Sequence, residues 1–182
     1  MVAVALVAAV AIVAASFYYL TRQEQRYRDL LEGQTIEDLV FLEVEMAPEA
    51  GRGAQNGPKN EARDTLAFQP GPKTVVLFWA SWSDRSISEL ENLIRWHGMF
   101  SHYRVIAAVV KDGPEFSELW PASDSGSFYL VDGTPAYQDL RVPGVPSTIL
   151  FGSDGHMNRT AVGSQSEPLW HRFQKPQPAS PR

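Results

Sequence analysis

Three residues within the stretch WASWSDRS could carry chemistry: Trp82, Ser83 and Ser86. A serine hydroxyl becomes a nucleophile only beside a positioned base and an oxyanion hole. Asp84 adjoins Ser83 but is expected to point away along a helix start. The chain has no GxSxG turn to expose such a serine. GSDGH at 152–156 holds a serine, an aspartate and a histidine, yet Asp154–Gly155 reads as a hairpin turn rather than a catalytic set. No coherent hydrolytic constellation emerges, and no enzymatic activity is expected. The chain contains no cysteine, which excludes disulfides, thiolate metal ligation, iron–sulfur clusters and thiol chemistry. The four histidines, His97, His102, His156 and His171, lack HxxxH or HExxH spacing, so neither a metal nor a cofactor is expected.

The elements around WSDRS follow from pattern. TVVLFWA before it is a continuous apolar run, as suits a strand buried on both faces. After it, Ile87, Leu90, Ile94 and His97, with Leu93 beside them, recur at helical spacing. Ser86 and Glu89 form an S-x-x-E pattern that predicts a capping box. YRVIAAVV (103–110) and SFYLV (127–131) read as further strands, with a short helix expected in PEFSELW and another in TPAYQDL. VPSTILFGSDGHMNRTAVG reads as strand, turn and strand, and SEPLWHRF as a closing helix. Upstream, DLVFLEVE and LAF are short strand candidates. Strands and helices alternating at this spacing predict right-handed crossovers, a parallel core and antiparallel edge strands, with helices on both faces.

Val2 to Leu20 is an uncharged run of 19 residues, about 28 Å as a helix and close to the ~30 Å hydrocarbon core. Tyr18 and Tyr19 sit where an interfacial aromatic belt would lie. The run lacks a basic leader and is long for a secretory signal, so an uncleaved single-span anchor is expected. The expected organisation is a transmembrane anchor at 1–21, a juxtamembrane linker at 22–35, one domain at 36–173 with a loop insertion at about 47–64, and a tail at 174–182. The chain carries a net charge of −5, with its 16 Lys and Arg spread among 21 acids. That argues against nucleic-acid binding, which needs clustered cations. Arg22, Arg26 and Arg28 follow the anchor, and by the positive-inside rule alone would hold the domain in the cytoplasm.

Two stretches, KTVVLFWASWSDRS and VPGVPSTILFGSDG, resemble signatures of the thioredoxin superfamily, and most closely of its membrane-anchored TlpA- and ResA-like thiol–disulfide branch. The resemblance spans about residues 36–173 and implies a thioredoxin-like mixed sheet flanked by helices. It implies a cis bond before Pro146 and places the two family cysteines at Ser83 and Ser86. A serine can neither attack a disulfide nor resolve a mixed one, so the implied fold comes without the implied redox activity. The resemblance also implies a shallow docking groove formed by Trp82, Ser83, Ser86, Val145 and Pro146, and a bacterial inner-membrane protein whose domain is periplasmic. The expected function is a redox-inactive accessory subunit of an integral membrane complex, with respiratory or photosynthetic electron-transfer complexes as the expected hosts. Lipid contact is expected through residues 2–20. The alternative is an assembly or cytochrome-maturation factor that holds clients in the groove.

Overall fold

A computed structural model describes residues 2–44, 64–99, 102–111, 126–165 and 167–173 of the chain. The helix expected in PEFSELW, most of the 47–64 loop and the 174–182 tail lie outside the described residues. Among the described residues, seven strands form one sheet in the order β2-β1-β5-β4-β3-β6-β7. Their ranges are β1 Phe41–Glu43, β2 Thr65–Leu66, β3 Thr74–Trp79, β4 Arg104–Val109, β5 Phe128–Asp132, β6 Ser147–Phe151 and β7 Met157–Val162. β3, β4 and β5 are mutually parallel, and β1, β2, β6 and β7 join antiparallel. Every residue of β3 is buried, so the apolar run TVVLFW lies inside the sheet with both faces covered. This is a mixed α/β sheet of thioredoxin-like order.

Helix α2, Asp84–Met99, covers one face with Leu90, Leu93 and Trp96, joined by Trp170 from a closing 3-10 helix at Leu169–Phe173. The buried stripe of α2 runs through Leu90, Leu93, Trp96 and His97, while Ile87 and Ile94, expected on it, are only partly covered. The closing segment is a 3-10 turn rather than an α-helix. Helix α3, Thr134–Asp139, packs on the other face. Gly133, just before it, lies so close to β4 that a Cβ there would sit 2.5 Å from the Ala108 Cβ.

Helix α1 runs without interruption from Val2 to Leu31. Its last turns belong to the domain: Tyr27 is 2% exposed and Leu31 fully buried, both in the core on the α3 face. The stretch 22–35, expected as a linker, therefore contributes two core side chains. Both lie four residues apart on one helical stripe, which charge content alone masked. Gly33 (φ +90°) ends the helix, and Gln34 N–H donates to Leu31 C=O at 3.0 Å. A 3-10 turn at Ile36–Asp38 follows, fixed by Thr35 N–H and Oγ1 donating to Asp38 Oδ2 at 2.7 and 2.8 Å. Those two bonds hold the Asp38 carboxyl below its ordinary pKa. Among the described residues no helix is long and apolar enough to cross a membrane. The side chains of residues 2–9, and of several later positions in α1, lie outside that description.

Candidate functional site: the sheet end at Trp82 and Pro146

The parallel strands β3, β4 and β5 all finish at one end of the sheet, and β6 begins there, with Phe78 paired to Ser147. The segments that leave or enter at this end are 80–83, 110–111, 133–134 and 142–146. In parallel α/β sheets this is the end where loops gather around a crevice. The structure thus brings all five candidate residues to one end.

Ser83 caps α2. Its N–H donates to Ala80 C=O at 3.2 Å, its C=O accepts from Ile87 N–H at 3.0 Å, and its Oγ accepts from Ser86 N–H at 3.3 Å. Asp84 in the first turn complements the helix dipole. The capping box expected at Ser86 and Glu89 does not form. Ser86 sits three residues inside the helix, fully buried, and its hydroxyl has no hydrogen-bond partner. Glu89, one turn on, is also buried rather than reaching back to a cap, and burial raises its carboxyl pKa. The reason is positional. The serine that follows the tryptophan stands at the end of the strand-to-helix turn, where backbone N–H groups are free. Ser86, in the next turn, faces the sheet.

Trp82 is 66% exposed, the opposite of a core tryptophan. On the facing side, the Val145–Pro146 peptide bond is cis, as the resemblance implied. Pro146 is buried, and Val145 is half-buried against the α3-face core. Ser147 Oγ donates to Gly144 C=O at 2.6 Å, and Pro146 C=O accepts from Gly163 N–H at 2.7 Å, so the loop is held to β7.

Two basic residues complete this end and were not singled out by sequence. Lys111 and Arg141 adopt φ of 56° and 49°, the left-handed region that ordinary side chains avoid. Lys111 N–H donates to Thr134 Oγ1 at 3.3 Å, and its ammonium lies 5.6 Å from the Tyr137 ring centroid. Tyr137 in turn meets Phe78 edge-on at 6.0 Å. The only sequence signal was their place just after a strand and a short helix.

Chemically, this end can cap, pack and present an exposed indole beside a proline-bearing loop. Burial in the fold leaves Ser86 out of reach of a soluble substrate. On the opposite sheet face, His97 Nε2 lies 3.0 Å from Ser127 Oγ. His97 is 5% exposed, and burial lowers its pKa. The pair reads as a satisfied core contact.

Fold and site together define a thioredoxin-like α/β domain with an N-terminal helix docked on it. No protein-family model and no curated protein matches the chain. Among solved structures, StoA from Bacillus subtilis is similar at 14% identity over 63% of this chain and 90% of that one, with a TM-score of 0.48. The pneumococcal exposed lipoprotein thioredoxin Etrx1 from Streptococcus pneumoniae matches at 18% identity over 58% of this chain and 84% of that chain, with a TM-score of 0.44. The N-terminal domain of PilB from Neisseria gonorrhoeae matches at 28% identity over 54% of this chain and 72% of that one, with a TM-score of 0.43. The fold assignment rests on the sheet order itself.

Proposed function

We propose that this chain is a redox-inactive, membrane-anchored thioredoxin-like accessory subunit that packs on and stabilises a multi-subunit membrane complex. The observation that carries the reading is Ser83. It occupies the helix start where a thiol–disulfide protein of this fold would hold its attacking thiolate, and it serves there as the helix cap. The structurally useful part of the turn is kept, and cysteine is absent from the whole chain. The anchor is supported by the uncharged run Val2–Leu20, which makes the first two-thirds of α1. A respiratory or photosynthetic electron-transfer complex is the proposed host, in a bacterial inner membrane with the domain periplasmic. That placement follows the resemblance and stands against the arginines after the anchor.

The second reading, an assembly or cytochrome-maturation factor, is favoured by the exposure of Trp82 and by Val145. Among the described residues no backbone hydrogen bond engages Val145. An extended client segment could pair with that backbone by strand addition. A detergent pull-down of the full chain from its native membrane separates the two. Stoichiometric recovery with one mature complex is expected. Substoichiometric capture of precursor proteins would favour the second reading, and recovery of the chain alone would overturn both.

A further inference from the structure

The direction of α1 across the domain fixes which end of the sheet faces the anchor. At the far end of α1, Gln34 C=O accepts from Met157 N–H at 3.3 Å and Ile36 N–H donates to Gly155 C=O at 2.9 Å. The helix therefore finishes beside the β6–β7 hairpin. One turn earlier, the Tyr27 phenol faces Thr160, farther along β7, and also senses Tyr137. Moving toward the amino terminus along α1 is thus moving toward Gly163 at the end of β7, whose N–H bonds Pro146. The two paths are of equal length. Tyr27 to Leu20 is seven helical residues, about 10 Å. Thr160 to Gly163 is three strand residues, also about 10 Å. The Trp82–Pro146 end of the sheet lies level with Leu20, the last residue of the uncharged run of α1.

The charge distribution runs the same way. Arg22, Arg26, Arg85, Lys111 and Arg141 are exposed on the anchor side, with the exposed Asp84 and Asp139 and the half-buried Asp132 among them. Asp132 is engaged, its Oδ1 accepting from Thr134 N–H at 2.9 Å. At the opposite end Glu32, Glu37, Asp38 and Asp154 are exposed acids, accompanied by the exposed cations Lys73, just before β3, and Arg95, late in α2. Of these exposed charges, the anchor side holds five cations against two acids and the opposite end four acids against two cations, in a protein of net charge −5. Anionic headgroups attract such a face, and tryptophan indoles concentrate in the interfacial layer.

We propose that the sheet end bearing Trp82 and the Val145–Pro146 loop lies against the lipid headgroup layer, with the exposed Trp82 indole seated in it. This rests on residues 2–20 being a membrane anchor. The continuous helix and its docked Tyr27 and Leu31 leave no hinge between anchor and sheet, so the orientation is built into the fold.

The cysteine-free chain allows a direct test. Full-length variants Trp82→Cys, Arg141→Cys and Asp154→Cys are each labelled with one fluorophore and reconstituted in vesicles of phosphatidylcholine and phosphatidylglycerol. A nitroxide carried on lipid headgroups serves as quencher. Flotation with the vesicles is expected, with quenching at positions 82 and 141 several-fold stronger than at 154. Four alanines inserted between Arg22 and Gln23 lift the domain by about 6 Å and should shrink that contrast. Equal quenching at all three positions in floated protein would leave the anchor standing and overturn the orientation. A chain that fails to float would overturn the anchor and the orientation with it. A contrast seen in native membranes but absent from pure lipid vesicles would overturn the lipid assignment and name a membrane protein as the occupant.

Discussion

Cutting the chain at two points eight residues apart should give two very different proteins. A version starting at Thr21 keeps Tyr27 and Leu31 and should be soluble and cooperatively folded. A version starting at Asp29 loses Tyr27 and leaves Leu31 on a helical remnant too short to persist. Tyr27 is 2% exposed and packed with Leu31 in the core on the α3 face. Truncating a buried aromatic of this size costs about 3–5 kcal/mol. Against a total of about 5–15 kcal/mol for a domain, that is a fifth of the stability or more. At roughly 4 °C per kcal/mol for a domain of this size, the melting temperature should fall by about 10–20 °C. Circular dichroism melts of the two versions, with Tyr27→Ala in the longer one, measure this directly. Tyr27→Phe supplies the control. The phenol hydroxyl is buried with no hydrogen-bond partner, and burial pushes its pKa up, so removing it should leave the melt unchanged or slightly raised. Melts of the two truncated versions agreeing within about 2 °C would refute the claim that α1 is part of the folded domain.

Other outcomes follow from the site. Ser83→Ala should destabilise by about 1 kcal/mol or less, since it removes a side-chain cap bond of 3.3 Å; chemical denaturation reads it. Glu89→Gln should raise stability at neutral pH. The folded carboxyl has a raised pKa, so the native state holds a proton that the unfolded state releases above its ordinary value of 4.5. Stability of the parent should therefore decline as pH climbs from 4.5, and the variant should lose that decline. His97 works in the other direction: its lowered pKa means stability is lost as pH falls below 6.5, which an NMR titration of its ring would show as a low midpoint. Gly133→Ala should cost about 1–3 kcal/mol through the clash with Ala108, measured in the same melts.

Most of the sheet was legible because its strands are short apolar runs between turn residues. TVVLFW, VIAAVV and STILF could be placed before their partners were known, and Asp154–Gly155 marked the β6–β7 turn. Gly155 adopts φ +80°, as that turn demands. Less legible were features that depend on which face a helix turns inward. Ser86 and Glu89 fit a capping pattern in one dimension, but α2 starts three residues earlier and buries both. Tyr27 and Leu31 were hidden in a charged stretch because only their spacing of four, and not their surroundings, signals a core stripe. The exposed state of Trp82 was equally invisible. Tryptophan three residues past an apolar strand is as compatible with a core as with a surface, and only the turn geometry separates them.

The orientation inferred for the domain bears on the choice between the two functions. In the proposed orientation the Trp82–Pro146 end would be accessible to lipid and to membrane-embedded neighbours, and hidden from a large soluble client. A disulfide substrate arriving from solution would meet the bilayer before it met Ser83. Thiols at that position would have little to act on, whereas a helix cap there keeps its full value in any environment. An accessory subunit can use such a face permanently. A client-holding factor would have to free it in each cycle, against a helix docked without a hinge. Ser83→Cys with Ser86→Cys tests this. The unmodified chain should be inert toward disulfides, and the double variant should form an internal disulfide on oxidation, its two electrons and two protons passing to the added oxidant, seen as a mass loss of two hydrogen atoms. If the groove faces the membrane, that variant in vesicles should react with small oxidants far faster than it reduces a protein such as insulin, while the soluble version starting at Thr21 should lose this preference. Equal reduction of insulin by the vesicle-bound and soluble forms would show the groove open to solution and return the client-binding reading to first place.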